Sequence, residues 1–575
     1  MAKPFRCNPL FIIFLFLLTL SLAPPFSAEP PPQPPSAACK STPFHKLCLS
    51  MLSAFRRSPS NPDNYGKFSV KQCLKHARKL SDSIADFTAN NTKQKLLLTS
   101  SEIGALDDCR QLQELTAEYL ELIAGELKSA TSNMSAALVC RVQSLLSAVV
   151  TNQQTCFDGL AEAGSGIAAS LAAPLGDAAA LYRVSLGLVT HAMGRRRRRG
   201  AAVSGRRGAM ELNWARFPTS QIFEILHLPN KSTRQRRILE ELLGGGIHVN
   251  ATVTVSPYGG ANFTSINDAV ALAPNNSVVD DGYFVIYAKQ GYYEEYVVVP
   301  RSKKNIMLIG DGINATVITG NRSVVDGWTT FNSATFVVYG ERFVAMGITF
   351  QNTAGPEKHQ AVAARNNADI STFYRCSFLG YQDTLYAHSL RQFYRDCDIY
   401  GTVDFIFGNA AAIFQNCNLY ARKPMPDQKI AFTAQGRTDP NQNTGISIQN
   451  CTIGAAPDLA GEFVSSGDTS NVTLTNYLGR PWKEYSRTVY MQSYIGEFIN
   501  PVGWLEWNGT NGLDTLYYGE YENYGPGSNT SSRVRWPGYT VMNATQAFNF
   551  TVYNFTMGDT WLPNTTIPFS AGLMH

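Results

Sequence analysis

A short repeated pattern in the second half of the chain constrains its fold most strongly. The segments ITFQNT, TFYRCS, QFYRDC, IFQNCN and ISIQNC each combine apolar, β-prone residues with a polar corner. The corner positions are Asn352, Arg375, Asp396, Asn416 and Asn450, at intervals of 23, 21, 20 and 34 residues. A period of about 20 residues with one longer insertion is typical of a solenoid whose short strands stack coil upon coil. We therefore predict a right-handed parallel β-helix over 247–575, in preference to a sandwich or a propeller, with a long cleft suited to a polymer.

The first half of the chain has a different periodicity. Between 38 and 190, apolar residues recur at spacings of three and four, as in SAALVCRVQSLLSAVVTNQQTCFDGL. This spacing is typical of amphipathic helices that bury one face against one another. The predicted fold class is an N-terminal all-α helical bundle followed by a C-terminal all-β right-handed parallel β-helix. A chain of 575 residues is long enough for these two domains.

The N-terminus indicates a secretory route. Lys3 and Arg6 precede an apolar stretch at 10–22, and small residues end at Ala28, which together predict a signal peptide over 1–28. A retained signal anchor is the alternative. Sequons such as those at Asn262 and Asn543 agree with secretion. We expect a secreted protein that is not integral to a membrane after signal removal.

A basic segment over 191–246 separates the two halves. The net charge of the chain is only +5, and much of the excess lies in arginine runs within this segment. Such runs can indicate nucleic-acid binding, but the secretory N-terminus argues against that partner. In a secreted two-domain chain they are candidate sites for a processing protease. Arg236 and Arg237 are the first candidate, and the run at 195–199 is the second.

Two aspartates in the β-rich half are the clearest candidates for chemistry. Asp404 lies in TVDFIFG, where burying its charge among apolar residues requires a compensating partner. On an ideal strand Asp404 and Ile406 share one face, and Phe405 and Phe407 share the other. Asp383 precedes Asp404 by 21 residues, about one repeat, so we expect the pair on neighbouring coils, although a turn role is the alternative for Asp383. Adjacent carboxylates tend to share a proton, so that one acts as an acid and the other as a nucleophile.

Five motifs of this half resemble those of plant pectin methylesterases: HQAV, GYQDTLY, TVDFIFGNA, TAQGRTDPNQNTG and LGRPWKEYSRTVYMQS. The resemblance runs from about 250 to 570. The helical half, with its phrase TNQQTC, resembles the inhibitor-like pro-region that precedes many of these enzymes. The resemblance implies a cell-wall enzyme that hydrolyses the methyl esters of pectin, releases methanol, and uses no metal or organic cofactor.

The resemblance also implies roles for single residues. Asp404 would be the nucleophile that forms an acyl-enzyme, and Asp383 would protonate the departing methanol and then activate water. Gln382 and Gln360 would donate hydrogen bonds to the oxyanion. Arg480 would hold Asp404 ionised through a forked hydrogen bond.

Further residues are expected to contact the substrate. Trp482 offers a flat apolar surface for a sugar ring, and Thr330 corresponds to a substrate-contacting position in the family. Three other aromatic residues are candidates for the cleft, although aromatic residues of a β-helix often belong to its core instead. The expected substrate-binding set is Thr330, Gln360, Tyr386, Phe405, Arg480, Trp482 and Trp504.

Ten cysteines follow the predicted signal peptide, and their spacings favour disulfides over zinc. Cys397 and Cys417 flank Asp404 one repeat apart, so a bond between adjacent coils would brace the strand of the nucleophile, and the family pattern agrees with this pairing. In the helical half we expect one bond near its start and one between distant helices. These two bonds are Cys39–Cys48 and Cys109–Cys156. Cys376 and Cys451 are expected to be buried thiols, and Cys73 and Cys140 have no predicted partner.

Two other classes of function are possible. A pectin lyase or a glycosidase on the same fold would need calcium-binding acidic clusters or another carboxylate grouping, which fit the observed residues less well. A binding protein would carry the helical half as an inhibitor of esterases or invertases beside an inactive solenoid. The expected partners are methyl-esterified pectin, a processing protease and a proteinaceous pectinesterase inhibitor. The helical half is expected to silence its own catalytic domain until the linker is cut.

Overall fold

The computed structural model describes residues 31–90, 98–130, 135–164, 166–204, 248–460 and 475–574. The predicted signal peptide and the candidate processing pair Arg236 and Arg237 lie outside these ranges. Among the described helices, none combines the length and the apolar character needed to cross a membrane.

The first half of the chain forms a bundle of helices. Its four long helices are amphipathic and pack pairwise around one apolar core. Helix α4 begins at a capping box in which Thr99 and Glu102 each satisfy a backbone N–H of the other, which stabilises the helix start. The helices are α1 Pro35–Ala38, α2 His45–Ser53, α3 Pro62–Asn90, α4 Ser100–Ser129, α5 Ala136–Glu162 and α6 Gly166–Ser204.

Two features of the bundle bear on the sequence predictions. Helix α6 continues to Ser204, so it extends beyond 190 into the first part of the predicted linker. The predicted disulfides Cys39–Cys48 and Cys109–Cys156 are both formed, and the second joins α4 to α5. Cys73 and Cys140 are free and buried.

The second half winds into parallel coils of short strands. Two short helices, α7 Ile266–Leu272 and α8 Ala544–Phe548, accompany them. The strands are β1 Val249–Val255, β2 Tyr283–Ala288, β3 Gly291–Tyr293, β4 Val297–Val299, β5 Ile306–Gly310, β6 Thr316–Gly320, β7 Phe336–Val338, β8 Val344–Met346, β9 Thr349–Asn352, β10 Ala364–Asn366, β11 Ser371–Tyr374, β12 Ser377–Leu379, β13 Leu385–Ala387, β14 Arg391–Arg395, β15 Asp398–Gly401, β16 Ile406–Gly408, β17 Ala411–Gln415, β18 Asn418–Ala421, β19 Ile430–Ala431, β20 Thr433–Gln435, β21 Gly445–Gln449, β22 Thr452–Ala455, β23 Asn476–Tyr477, β24 Arg480–Pro481, β25 Arg487–Met491, β26 Tyr494–Ile495, β27 Tyr517–Tyr521 and β28 Tyr539–Val541.

Three long sheets run along the solenoid axis, and their paired strands are all parallel. The first has the order β1-β2-β5-β8-β11-β14-β17-β21-β25-β27-β28. The second, which we call the cleft sheet, has the order β24-β20-β16-β13-β10-β7-β4. The third has the order β26-β22-β18-β15-β12-β9-β6-β3, and β19 pairs with β23 separately. Each of the seven coils from β2 to β24 contributes one strand to each long sheet, which is the arrangement of a parallel β-helix.

The interior of the solenoid is filled by stacked side chains from successive coils. Phe373, Tyr394 and Phe414 stack with ring centroids 5.2 and 4.5 Å apart. All residues of this core come from 255–518, so the β-helix buries its own hydrophobic core without the helical bundle.

The polar corners of the repeat have left-handed backbone geometry. The corners with φ of 50°, 52°, 58° and 53° are Arg375, Asp396, Asn416 and Asn450. The prediction that Asn352 occupies the corner equivalent to Arg375 is wrong. Met346 pairs with Tyr374, so the residue that corresponds to Arg375 one coil earlier is Gly347. Asn352 instead ends β9 in the third sheet. The repeat between these two coils is thus longer than the 23 residues that separate Asn352 from Arg375.

The predicted Cys397–Cys417 disulfide is not formed in the structure. Both residues are free and buried, as are Cys376 and Cys451, and each of the four immediately precedes a strand of the third sheet. Their thiols contact backbone carbonyls inside the solenoid; Cys397 Sγ, for example, lies 3.4 Å from the Phe373 oxygen. The four sulfurs therefore form a ladder of interior side chains, in which stacking between coils brings residues close without a covalent bond.

Candidate active site

The cleft sheet carries a row of side chains that are in register from coil to coil. Arg365 pairs with Tyr386, Tyr386 with Phe407, Phe407 with Ala434, and Ala434 with Arg480. A cavity of about 210 Å³ opens above this row. We call it the cleft, and its lining from the second half is Thr329, Thr330, Phe331, Gln360, Gln382, Asp383, Tyr386, Asp404, Phe407, Ala434, Arg480, Trp482 and Trp507.

Asp404 lies at a corner of the solenoid just before β16. Its φ of 53° is left-handed, and it is only 5% exposed. Arg480 Nε and Nη2 donate to the two carboxylate oxygens of Asp404, each at 2.7 Å. Burial raises the pKa of Asp404, and the hydrogen bonds and charge of Arg480 oppose that rise. The arginine fork is thus the compensating partner that the buried carboxylate requires.

Asp383 occupies the equivalent corner one coil earlier. Its φ is 63°, and its backbone N–H donates to the Val403 carbonyl at 3.1 Å, which ties the two corners together. Burial raises the pKa of Asp383 well above its usual value, and the charges of Asp404 and Glu162 raise it further. Arg480 opposes these effects. The pair therefore combines Asp383, whose neutral form is favoured, with an arginine-bound Asp404.

The polar residues expected around the pair reach the same cavity. Thr330, Gln360 and Gln382 all line it together with both aspartates. Gln382 directly precedes Asp383, and its carbonyl accepts from the N–H of Ala361, next to Gln360. The two amides are therefore brought to one place by neighbouring coils.

The predicted cleft aromatics divide into two groups. Trp482 and Tyr386 line the cleft. Trp482 packs on Gly436, where a Cβ would lie 2.8 Å from the indole, so the glycine of TAQGRTD leaves room for this ring. Phe405 and Trp504 do not line it, because both are buried in the solenoid core. Trp504 donates its Nε1–H to Glu520 at 3.2 Å.

The cleft also contains aromatic residues that the sequence argument missed. Phe407 stacks on Tyr386 with ring centroids 4.2 Å apart, and Trp507 lies against the Arg480 guanidinium at 4.3 Å. The left-handed corner at Asp404 interrupts the simple alternation of a strand, so Phe407 faces the cleft while Phe405 and Ile406 face the core. In the segment GWLEWNG, no feature of the sequence distinguishes Trp507, which lines the cleft, from Trp504, which does not.

The helical bundle closes the cleft from the other side. Asp108, Thr155, Asp158, Gly159 and Glu162 line the same cavity as the aspartate pair. These side chains come from α4 and α5. The N-terminal half of the chain therefore covers Asp383 and Asp404.

Polar contacts join α5 to the β-helix along one face of the helix. Asn409 Nδ2 donates to Thr151 Oγ1 at 2.8 Å, Thr155 Oγ1 lies 3.0 Å from His388 Nε2, and Lys483 Nζ donates to Asp158 at 2.8 Å.

Farther along α5, a second cluster of charges adds to this interface. Arg141 binds Glu341 at 2.5 Å and approaches Asp369 at 3.5 Å.

Comparison with known proteins agrees with this division of the chain. The pectinesterase family model matches residues 252–559, and the plant invertase/pectin methylesterase inhibitor model matches 35–188. A probable pectinesterase/pectinesterase inhibitor 47 of Arabidopsis thaliana is 60% identical over 95% of this chain and 87% of its own. The pectinesterase/pectinesterase inhibitor PPE8B of Prunus persica is 46% identical over 81% and 83% of the two chains.

A solved structure corresponds to the second half alone. The pectin methylesterase from carrot is 54% identical, with a TM-score of 0.53, and the match covers 56% of this chain and 98% of that one. Together with the parallel coils, this match confirms the predicted right-handed parallel β-helix beside a helical domain. The chain therefore belongs to the pectinesterase family of carboxylic ester hydrolases and carries an N-terminal domain of the plant invertase/pectin methylesterase inhibitor family.

Proposed function

We propose that this protein hydrolyses the methyl esters of cell-wall pectin through an aspartyl acyl-enzyme, and that its helical domain inhibits the reaction until it is removed. The observation that carries the proposal is the pairing of two buried aspartates, only one of which is held by an arginine fork. Such a pair supplies a nucleophile and an acid within one cavity.

In the first half of the reaction, a carboxylate oxygen of Asp404 attacks the C6 carbonyl carbon of a methyl-esterified galacturonate. The carbonyl oxygen becomes negative and accepts hydrogen bonds from the amides of Gln360 and Gln382. When the tetrahedral intermediate collapses, Asp383 gives its proton to the methoxy oxygen, and methanol leaves. The product is an anhydride between Asp404 and the sugar acid.

In the second half, water resolves this anhydride. Asp383, now ionised, takes a proton from the water as the hydroxide adds to the acyl carbon. Collapse releases the galacturonic acid group, which loses its own proton to solvent and becomes a carboxylate, and it returns Asp404 to the arginine fork. Asp383 is again protonated, so the proton count closes over one cycle.

Thr330, Trp482, Tyr386 and Phe407 are the proposed substrate contacts. Their support is that they line the same cavity as the aspartate pair. The aromatic rings offer apolar faces to the sugar rings, while Arg480 serves both Asp404 and the substrate.

Inhibition by the helical domain is supported by the side chains that α4 and α5 insert into the cleft. A polymer and these helices cannot occupy the same volume. We propose that a protease cuts within 191–246, at Arg236 and Arg237 or at the run 195–199, and that the released enzyme acts as a secreted protein in the cell wall. A separate proteinaceous inhibitor would cover the same cleft afterwards.

The decisive experiment measures methanol released from highly methylated pectin by residues 247–575. This half suits the test because it has a hydrophobic core formed by its own residues, and because the carrot enzyme matches the second half of the chain alone. An Asp404→Asn variant should release none, whereas Asp280→Asn, at an exposed aspartate far along the solenoid, should retain activity. Methanol release by Asp404→Asn at the parent rate would contradict the assignment of the nucleophile, and pectin chains shortened by the parent would favour a lyase or a glycosidase.

A further inference from the structure

We propose that the outer face of α3 is a binding surface for a polyuronate, the carboxylate-bearing polymer that the proposed reaction would produce. The surface lies on the helical domain and apart from the cleft, so it would hold the uncut chain on the polymer without taking part in catalysis. The choice of polymer rests on the proposed function, whereas the anionic character of the partner rests on α3 itself. We call the basic side chains of this face the basic stripe: Lys67, Lys71, Lys75, Arg78 and Lys79.

The stripe concentrates positive charge in a short segment. Residues 64–81 contain five lysines and arginines and no aspartate or glutamate. The net charge of the whole chain is only +5, so this segment is far more basic than the chain as a whole. Such a concentration of one sign of charge creates a local potential that attracts polyanions.

Helical geometry places the stripe on one side of α3. Its four lysines follow one another at intervals of four residues, and each interval advances about 6 Å along the helix axis, so their Cα atoms span about 18 Å. The opposite side of the helix belongs to the core of the bundle. The buried residues on that side are Val70, Cys73, Ala77, Leu80 and Ile84.

The charges of the stripe are available to a partner. Lys71, Lys75 and Lys79 are exposed, and they form no ion pair with a described residue. Arg78 pairs with Glu121 at 2.6 Å, but both side chains are more than half exposed, and an exposed pair of this kind is weak. An incoming carboxylate would therefore compete with little beyond water.

A groove of about 450 Å³, open to solvent, lies among these side chains. Leu74 contributes an apolar surface to its lining, and Asp82 contributes a carboxylate at the end towards the helix C-terminus. The groove thus combines several cations with a small apolar contact, which suits a sugar ring that carries a carboxylate. Asp82 limits the basic surface on that side.

The composition of this face favours a single polymer chain over a membrane. A helix that binds a membrane surface buries large apolar side chains in it. Among the described residues of the bundle, the exposed large apolar side chains are those of Phe44, Leu47, Ile103 and Phe157, and none of them lies on α3. The stripe is also one helix wide, and its long, flexible lysines can follow a linear array of carboxylates without a fixed register.

The stripe remains accessible while the cleft is covered. Helix α3 packs against α4 and α6, and its side-chain bonds to them include Arg78–Glu121 and Ser69–Ser185. The side chains that enter the cleft come instead from α4 and α5. The uncut chain can therefore bind the polymer through α3 while its aspartate pair stays covered.

This arrangement would determine where the uncut chain accumulates. Each turnover of the proposed reaction converts an ester into a carboxylate, which is the group that the stripe attracts. The uncut protein should therefore collect beside stretches that are already demethylated. Removal of its helical domain there would release further enzyme next to them.

The test measures the Kd of the full chain for fully demethylated homogalacturonan by calorimetry, at about 50 mM and about 200 mM salt. A triple variant with Lys71→Gln, Lys75→Gln and Lys79→Gln removes three charges and retains good helix formers. Its Kd at the lower salt concentration should be about tenfold higher, because three exposed ion pairs are lost. Its Kd should also depend less on salt. Fully methylated homogalacturonan, which has no carboxylates, should bind the parent much more weakly.

A matched control removes three charges from exposed positions of the β-helix: Lys423→Gln, Lys429→Gln and Arg535→Gln. This control should leave Kd nearly unchanged. The arginine runs of 191–246 are the same in all three proteins, so differences in Kd report the substituted residues. Melting temperatures verify the folding of each protein. Should the triple variant melt at a lower temperature, Lys75→Gln compared with Lys429→Gln gives the same test with a smaller change in Kd.

Equal Kd values for the triple variant and its control would overturn the inference, as would equal affinity of the parent for methylated and demethylated polymers. Vesicles that contain anionic phospholipid are the third probe. If the parent binds these vesicles through the stripe and does not bind the demethylated polymer, the surface serves a membrane and the inference is wrong.

The proposed function is tested separately, because methanol release by residues 247–575 does not involve α3. Absence of methanol release, together with polymer binding that the triple variant weakens, would refute the esterase and support the polyuronate surface. Methanol release without such binding would support the esterase and overturn the inference.

Discussion

At the scale of single residues, Asp383 and Asp404 share an unusual backbone. Both have positive φ, at 63° and 53°, at the corner just before a strand of the cleft sheet. Aspartate tolerates this left-handed region better than most residues, at a cost of about 1 kcal/mol. The corner turns each carboxylate out of the solenoid core and towards the cavity, so the local strain has a functional use.

Replacement of Arg480 tests the fork to Asp404. We expect Arg480→Gln to lower kcat of residues 247–575 by at least about 100-fold, because the nucleophile loses its charge partner. Arg480 holds the pKa of Asp404 down, so without it the acid limb of the pH–rate profile should move to higher pH. Initial rates of methanol release across pH check both effects. Arg535→Gln, at an exposed arginine, is the control, and an unmoved acid limb would contradict the role of the fork.

Asp383 should cost stability when it ionises. The pKa of Asp383 is higher in the folded chain than the ordinary carboxyl value of about 3.9. Its contribution to the free energy of unfolding therefore favours folding at low pH. This contribution is lost as the pH rises from about 3.9 through the pKa of the folded chain. We expect Asp383→Asn to raise the melting temperature of the full chain at neutral pH and to leave it unchanged near pH 3. Melting curves at several pH values, with Asp280→Asn as control, measure this. A stabilisation that is equal at both pH values would argue against an ionisation effect.

At the scale of elements, α5 presents one polar stripe to the β-helix. Ser147, Thr151, Thr155, Asp158 and Glu162 recur at three- and four-residue spacings and therefore share one face. Their partners lie on several coils, including Asn409, His388 and Lys483. The phrase TNQQTC lies within this stripe and adds Cys156, which anchors α5 to α4. One helix thus supplies much of the polar contact that covers the cleft.

Reversal of one charge on this stripe should weaken the inhibition. In the full chain, Asp158→Arg replaces an ion pair with Lys483 by a repulsion, so methanol release should rise by about tenfold or more. Asp177→Arg makes the same charge change at an exposed position of α6 and should leave the low activity of the full chain unaltered. If both variants behave alike, the stripe does not hold the inhibitory contact.

The cysteine ladder makes a separate prediction about the third sheet. Residues 247–575 contain four cysteines, and the structure has all of them as free thiols. Alkylation of this half under denaturing conditions without reduction should therefore label four sites by mass spectrometry. Labelling of two would establish a disulfide, and peptide mapping would show whether it joins Cys397 to Cys417.

At the scale of the whole molecule, the two domains meet at the cleft, where apolar residues of the β-helix join the core of the bundle. The β-helix core is drawn from 255–518 alone, whereas the core of the bundle also includes cleft residues such as Tyr386 and Phe407. The apolar face that the bundle covers is therefore the same face that would bind sugar rings. We expect removal of the bundle to uncover this face and to leave the core of the β-helix intact.

The full chain should accordingly be much less active than its second half. We expect specific activity on methylated pectin to be at least about 100-fold higher for residues 247–575, because the tethered domain competes at high effective concentration. Equal specific activities would contradict autoinhibition. Incubation of the full chain with a trypsin-like protease, followed by separation of the fragments, should recover the activity of the second half.

Local patterns account for much of what could be predicted. The three- and four-residue periodicity before 190 and the repeated short segments after 247 each reflect contacts between neighbours in sequence or in adjacent coils. The spacing of 21 residues brought Asp383 and Asp404 to neighbouring corners for the same reason, and the buried charge of Asp404 required a partner such as Arg480. Their chemical roles were implied by the resemblance to a family and not by the spacing.

The sequence by itself therefore determined the two-domain fold class and the proximity of the aspartate pair, because periodicity and repeat length are readable along the chain. Only the tertiary structure decided that Phe407 and Trp507, and not Phe405 and Trp504, face the cleft, since left-handed corners change which side a residue faces. It also decided that Asp108 and Asp158 reach the cleft. Those contacts join residues more than 200 positions apart, and a contact between two domains leaves no periodic trace in either one.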